Sequence, residues 1–291
     1  MNFNKLTFQS PRIGILFSRF LVVVMVWFVF FLVVILPLIP ESESFKLCLW
    51  NPATKQIRQL PNTRNESETI RTIGFGYDSN TNDYKVVIIN YFDDDDDAFY
   101  DNFRVFQAEM YSLSTGCWKK IKSDVDFQDM FMEDSSVTVN GMLFWRVEEE
   151  EYQFVLSFDM GKEEFRIIVM PDSIEYCYRI AKFKDSLVLL SEFYEDAGLG
   201  WAVSVDLWVM EHNCDGGQSW SKLFTVGTFY KINCPVGIWK NEIFIQGYKY
   251  TEEESGMLLC NPTNNEMKIL TDIGSAHLYD VFNYVESLVP V

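Results

Sequence analysis

Carboxylates are the reactive side chains that this sequence supplies in quantity, and two uninterrupted runs of them invite a chemical reading. Asp93, Asp94, Asp95, Asp96 and Asp97 lie inside YFDDDDDAFYDNF, with Tyr100 just beyond, and Glu148, Glu149, Glu150 and Glu151 form the second run. A shorter acidic pair, Glu195 and Asp196, falls within residues 192–201. Such density can hold calcium loosely or meet a basic protein, whereas acid–base catalysis needs two carboxyls at a set distance. The aspartate run has neither EF-hand spacing nor a turn glycine, so a solvated loop or a protein contact is its expected use. Other chemistry is sparse. The two histidines, His212 and His277, are far apart, and there is no G-x-S-x-G elbow, no phosphate-cradling glycine loop and no H-E-x-x-H pair. Six cysteines (Cys48, Cys117, Cys177, Cys214, Cys234 and Cys260) are dispersed without a C-x-x-C pair, which disfavours zinc and gives no disulfide framework. No cofactor and no metal are expected, and the chain reads as a non-catalytic binding protein.

The elements that must position these loops are strands. Residues 47–61, LCLWNPATKQIRQLP, read as strand, turn, strand, with Pro52 presetting φ and Asn51 able to bond its own backbone. Weaker copies follow, and taking Trp50, Tyr111, Phe158, Trp208 and Cys260 as equivalent, the motif returns about every 50 residues, as in kelch-type blades. A second hairpin type lies between the copies: VTVNGMLFW at 137–145, AKFKDSLVL at 181–189, GIWKNEIFI at 237–245, and a longer version from Phe75 to Val87. Two alternating hairpin types in fixed order predict an all-β fold, a kelch-like β-propeller of about five repeats with an incomplete first blade. A β-sandwich with chance self-similarity is the competing architecture. Aromatic residues make up 16% of the chain and recur at the repeat positions, where they are expected to wedge between sheets. Four of the six cysteines sit in apolar strand patterns, so buried, reduced thiols in a cytosolic domain are expected.

The net charge is −18, with residues 1–45 at +1 and the rest at −19, which disfavours nucleic acid as a partner and suits a basic protein or simple solubility. The N-terminal 45 residues differ from the rest. Residues 20–39, FLVVVMVWFVFFLVVILPLI, hold no charge and have the length of a bilayer span, with Lys5, Arg12 and Arg19 before them and Glu41 and Glu43 after. By charge bias this reads as a signal-anchor helix over 20–39 with the following domain, 46–291, exported. The lone sequon Asn65-Glu66-Ser67 suits export. Non-native coding sequence joined to a truncated domain is the alternative reading of residues 1–45.

LWNPATK, FGYDSNTNDYKVV, AEMYSLSTGCWKKI, LSFDMGKEEFRII, DLWVM with SWSKLFTVG downstream, and the terminal YVESLVPV together resemble the plant F-box-associated domain. The resemblance points in particular to the S-locus F-box group of rosaceous plants, including the F-box brothers, and covers residues 47 to 291. It implies a kelch-like propeller serving as substrate receptor of a Skp–cullin–F-box ubiquitin ligase in the cytoplasm. In that group it implies secreted pistil ribonucleases as targets. Such families begin with a helical F-box, whereas residues 1–45 show no amphipathic helix pattern, which puts docking of a Skp-type adaptor in doubt. The final strands around Tyr284 to Val289 are expected to complete the first blade, leaving an edge where its other strands are missing. Three functions follow as expectations: ligase substrate recognition, a membrane-anchored or exported binding propeller, and a truncated paralogue without a ligase role. If a basic ribonuclease is the partner, the loops around residues 93–97, 148–151 and 192–201 are its expected contacts, since propellers bind through their rims.

Overall fold

The computed structural model describes residues 13–15, 32–37, 45–51, 53–63, 69–93, 104–126, 130–132, 136–149, 152–174, 176–196, 201–212, 217–229, 232–239, 241–248, 255–264, 266–270 and 281–283. Among these the regular secondary structure is all strand, in five sheets that follow one another along the sequence. Strand β1 (Ile13–Ile15) joins the last sheet. The first sheet is β2 (Leu32–Pro37), β3 (Phe45–Asn51) and β4 (Gln56–Gln59). The second is β5 (Thr69–Asp78), β6 (Asp83–Asp93), β7 (Arg104–Ser112) and β8 (Cys117–Ile121). The third holds β9 (Phe131–Met132), β10 (Val137–Val139), β11 (Met142–Glu149), β12 (Tyr152–Asp159) and β13 (Glu164–Val169), with β9 pairing β11 beside β10. The fourth is β14 (Cys177–Phe183), β15 (Ser186–Asp196), β16 (Trp201–His212) and β17 (Gln218–Phe229). In the fifth, β18 (Ile232–Trp239), β19 (Glu242–Tyr248), β20 (Ser255–Cys260) and β21 (Met267–Leu270) are extended by β22 (Val281–Asn283), parallel to β18, and then by β1.

Each sheet is built on an antiparallel meander, and the meanders stack face to face as propeller blades. The first strands β5, β10, β14 and β18 contact one another in that order. Strand alternation explains the stacking. In β6, Val86 and Ile88 enter a core shared with Leu47, Leu49 and Leu60 of blade 1, whereas Val87 and Ile89 enter one shared with Leu143, Trp145 and Phe158 of blade 3. In β15, Leu187 and Leu189 face blade 3, and Val188 and Leu190 face Ile243 and Ile245 of blade 5. A second strand buried on both faces must be apolar at every position, which is why KVVII and SLVLL run without alternation.

The repeat positions fall together. Trp50, Tyr111, Phe158, Trp208 and Cys260 all lie on the strand that precedes the outermost one, in β3, β7, β12, β16 and β20. The turns after these strands share a mechanism. Asn51 Oδ1 accepts from the Ala53 amide at 2.9 Å, Asp159 Oδ1 from Gly161 at 2.9 Å, and Asn261 Oδ1 from Thr263 at 2.9 Å. Two of these turns then close on a left-handed residue, Lys55 (φ 59°) or Glu163 (φ 60°), and glycine fills that place at Gly116 (φ 69°).

Side chains tie the blades as well. Lys85 Nζ donates to Asp78 Oδ2 at 2.7 Å and crosses to the Met160 carbonyl of blade 3 at 2.8 Å, all of it buried. The indole of Trp118 on β8 donates to Pro61 O at 2.8 Å, and that of Trp220 on β17 to Val169 O at 2.9 Å, so two outer strands grip the end of the preceding blade alike.

One expectation is corrected. Leu32–Pro37, placed by the sequence reading within a membrane-spanning helix over 20–39, pair residue for residue with β3, from Leu32 opposite Trp50 to Pro37 opposite Phe45. Val33, Val34 and Ile35 are β-branched, which suits a pleated strand, and pairing to the LCLW strand satisfies the backbone groups that face it. The rest of that block lies outside the described residues, and among the described residues no helix is long and apolar enough to cross a membrane. Residues 284–289 also lie outside them; the strand just before, β22, joins blade 5 rather than blade 1.

Candidate functional site

The antiparallel meander sends alternate connections to opposite ends of the propeller. Turns between first and second strands and between third and fourth strands meet at one end. There Asn140 Nδ2 donates to Asp185 O at 3.0 Å across two blades, Lys119 pairs with Glu163, and Lys85 reaches Met160. Their charges are mixed. Connections between second and third strands leave from the other end, marked by the terminal pairs Pro37–Phe45, Asp93–Arg104, Glu149–Tyr152, Asp196–Trp201 and Tyr248–Ser255. In sequence these connections or their flanks carry Glu41 and Glu43, the 93–97 aspartates and Asp101, the 148–151 glutamates, Glu195 and Asp196, and Glu252, Glu253 and Glu254. The three acidic segments singled out in the sequence therefore depart from one end, joined by the connection that carries Glu41 and Glu43, noted only as flanking the apolar block, and by the one that carries Glu252, Glu253 and Glu254.

Individual residues are placed as follows. Asp93 ends β6, Glu148 and Glu149 end β11, and Glu195 and Asp196 end β15. Asp94, Asp95, Asp96, Asp97, Tyr100 and Glu150 lie outside the described residues. Glu148 is the best defined. It accepts from Arg146 Nη1, from Gln153 Nε2 at 2.9 Å and from the Tyr176 hydroxyl at 3.1 Å. Burial alone would raise its pKa, but the Arg146 hydrogen bond and charge, with the Gln153 and Tyr176 hydrogen bonds, outweigh it and hold the carboxyl below its ordinary range.

This knot spans the junction of blades 3 and 4. The Arg146 guanidinium lies 5.9 Å from the Tyr176 ring centroid, and Gln153 Oε1 accepts the Cys177 amide at 2.7 Å. Arg146, Gln153 and Tyr176 were not singled out from sequence; the available signal was Arg146, a cation inside the otherwise apolar LFWRV strand. The thiols differ by place. Cys177 and Cys260 are buried, Cys48 is half-buried and Cys117 is exposed, and none of the four is in a disulfide. Burial pushes the Cys260 thiol up to about 12, which makes it an inert core group. Among the described residues no group of three or more His, Cys, Asp or Glu side chains is placed to hold a metal ion.

Five sheets that follow one another along the chain and stack face to face are the blades of a β-propeller. The chain belongs to the F-box associated beta propeller domain family, whose model matches residues 36–291. It is similar to an F-box protein of Arabidopsis thaliana at 32% identity, covering 42% of this chain and 32% of that one. It is also similar to the Arabidopsis thaliana F-box protein CPR1 (26% identity; 64% of this chain, 49% of that one) and to an F-box/kelch-repeat protein of that plant (24%; 84% and 63%). The chain thus spans about a third to a half of the first two relatives.

Proposed function

We propose that this propeller is the substrate-recognition module of a Skp–cullin–F-box ubiquitin ligase, holding a basic protein at its acidic end by non-covalent contact. Ubiquitin transfer then belongs to other subunits of the complex. The supporting observation is that every connection between second and third strands leaves from one end and that these segments are acidic, while the opposite turns are mixed in charge. A field of one sign at one end steers a partner of the other sign and speeds encounter at low salt. Secreted pistil ribonucleases are the partner class that the S-locus resemblance adds, and a cytosolic setting accords with buried thiols at Cys177 and Cys260 that are not in disulfides.

Association of the purified protein with a basic pistil ribonuclease, followed kinetically at two salt concentrations, tests the reading. We expect a steep fall of on-rate with salt, and replacement of Asp93, Asp94, Asp95, Asp96 and Asp97 by Asn to lower the on-rate and flatten that slope. An unchanged slope removes the acidic end from recognition. A separate pull-down of a Skp-type adaptor with the expressed chain checks the ligase half of the proposal.

A further inference from the structure

We infer that the junction of blades 3 and 4, at the acidic end, is an anchor site where exposed aromatic rings take the apolar and basic side chains of a protein segment. This rests on the reading above and deepens it by naming where the partner's main contacts fall. Register places the rings. Phe131 on β9 sits directly opposite Glu148 on β11, so the two share a face, and Glu148 points toward blade 4 as Phe144 does. Tyr176 comes from the blade 4 side and bonds Glu148. On β15, Leu187 and Leu189 face blade 3; Ser191 continues that face opposite Cys177, and Phe193 is next along it. All three rings are exposed, Phe131 at 55%, Phe193 at 46% and Tyr176 at 43%.

Exposed apolar side chains elsewhere are of another kind. Ile57, Leu223 and Met267 stand singly on three outermost strands, Ile167 and Val169 share a fourth, β13, and Tyr152 lies on the blade 2 face of β12 with Phe154 and Leu156. The junction differs in gathering three aromatics around a fixed ionic frame. Tyr176 is held by the Glu148 hydrogen bond and by Arg146 over its ring, so little freedom is left to lose on binding. Glu148 is matched by Arg146, and Glu149 beside it at the end of β11 adds a second carboxylate next to the rings, which supply the apolar surface. Aromatic anchors inside a charged rim are the usual make-up of a binding hot spot, and ring faces beside carboxylates favour the stems and heads of Arg and Lys. The occupant is therefore a basic segment carrying apolar side chains.

Two peptide probes separate the anchor from the charge: a short peptide of alternating Arg and Leu, and one of alternating Arg and Ser with equal length and charge. Binding to the whole protein is followed by calorimetry. The Arg–Leu peptide is expected to bind roughly tenfold tighter. Phe131→Ser and Phe193→Ser, on different blades and each checked for an unaltered unfolding midpoint, are each expected to remove most of that margin. Neither should change Arg–Ser binding, and Ile57→Ser should leave the margin intact. Equal binding of both peptides, or a margin that survives both substitutions, overturns the anchor alone. Failure of both peptides to bind overturns the anchor and the acidic-end reading together.

Discussion

Asp78 and Lys85 stand in the FGYD–NDYKVV stretch, and their work is structural. Asp78 accepts from Lys85 Nζ at 2.7 Å, Thr81 Oγ1 at 2.7 Å and the Asn80 amide at 2.9 Å, and both members of the pair are buried. Burial by itself raises the Asp78 pKa, yet the Lys85, Thr81 and Asn80 hydrogen bonds and the Lys85 charge prevail and hold it below its ordinary 3.8. Removing one partner strands the other. Lys85→Met leaves a buried carboxylate without its cation and the Met160 carbonyl without its donor, at a cost of about 3–5 kcal/mol in urea unfolding near pH 7. The pH dependence has a definite sign. A depressed folded pKa means that the carboxylate's stabilisation is complete above the unfolded value near 4 and drains away as pH falls below it. In Lys85→Met the depression is gone, so the gap between variant and wild type should narrow as the pH is lowered through 4. A gap that stays constant with pH would show that the lost stability comes from packing of the lysine stem instead.

At the scale of the element, β5 shows how closely the blades approach. A methyl on Gly74 would lie 2.6 Å from both Leu143 Cδ1 and Trp145 Cζ2, and Trp145 is wholly buried. At Gly76 the nearest atoms belong to the flexible end of Met160. Gly74→Ala is thus expected to cost about 1–3 kcal/mol through overpacking, and Gly76→Ala distinctly less, because a methionine tip can move aside and an indole in a full core cannot. Denaturation midpoints of the two variants measured side by side decide this, and equal losses would contradict it. The same packing governs what could be read beforehand. Hairpins such as VTVNGMLFW were legible because turn chemistry and alternation are local, and the recurring third strand was legible because Asn51, Asp159 and Asn261 repeat one turn device. Strand β2 was not. An unbroken apolar run reads alike whether a bilayer or two neighbouring sheets surround it, and only its pairing with β3 separates the two.

For the whole molecule, topology turns scattered sequence features into one surface. The aspartates at 93–97 and the glutamates at 148–151 were visible as runs; their departure from a common end was not, since it depends on strand order and not on spacing. Phe131, Tyr176 and Phe193 were hidden for a related reason. Aromatics in apolar patterns read as core, and only register reveals which of them face outward beyond the last buried layer. A net charge of −18 also sets a global electrostatic balance. Like charges close together favour the expanded chain, so the fold should be least stable at low ionic strength. Raising NaCl from about 20 to about 200 mM shortens the screening length from about 20 Å to about 7 Å, enough to mute repulsion between neighbouring loops. Urea midpoints, taken with an uncharged denaturant so that salt is the one variable, should therefore rise with NaCl. Replacing Asp93, Asp94, Asp95, Asp96 and Asp97 by Asn should raise the low-salt midpoint and flatten the dependence. If five neutralised charges leave the slope unaltered, the repulsion is spread over the whole surface. The acidic end then has no field of its own with which to steer a basic partner.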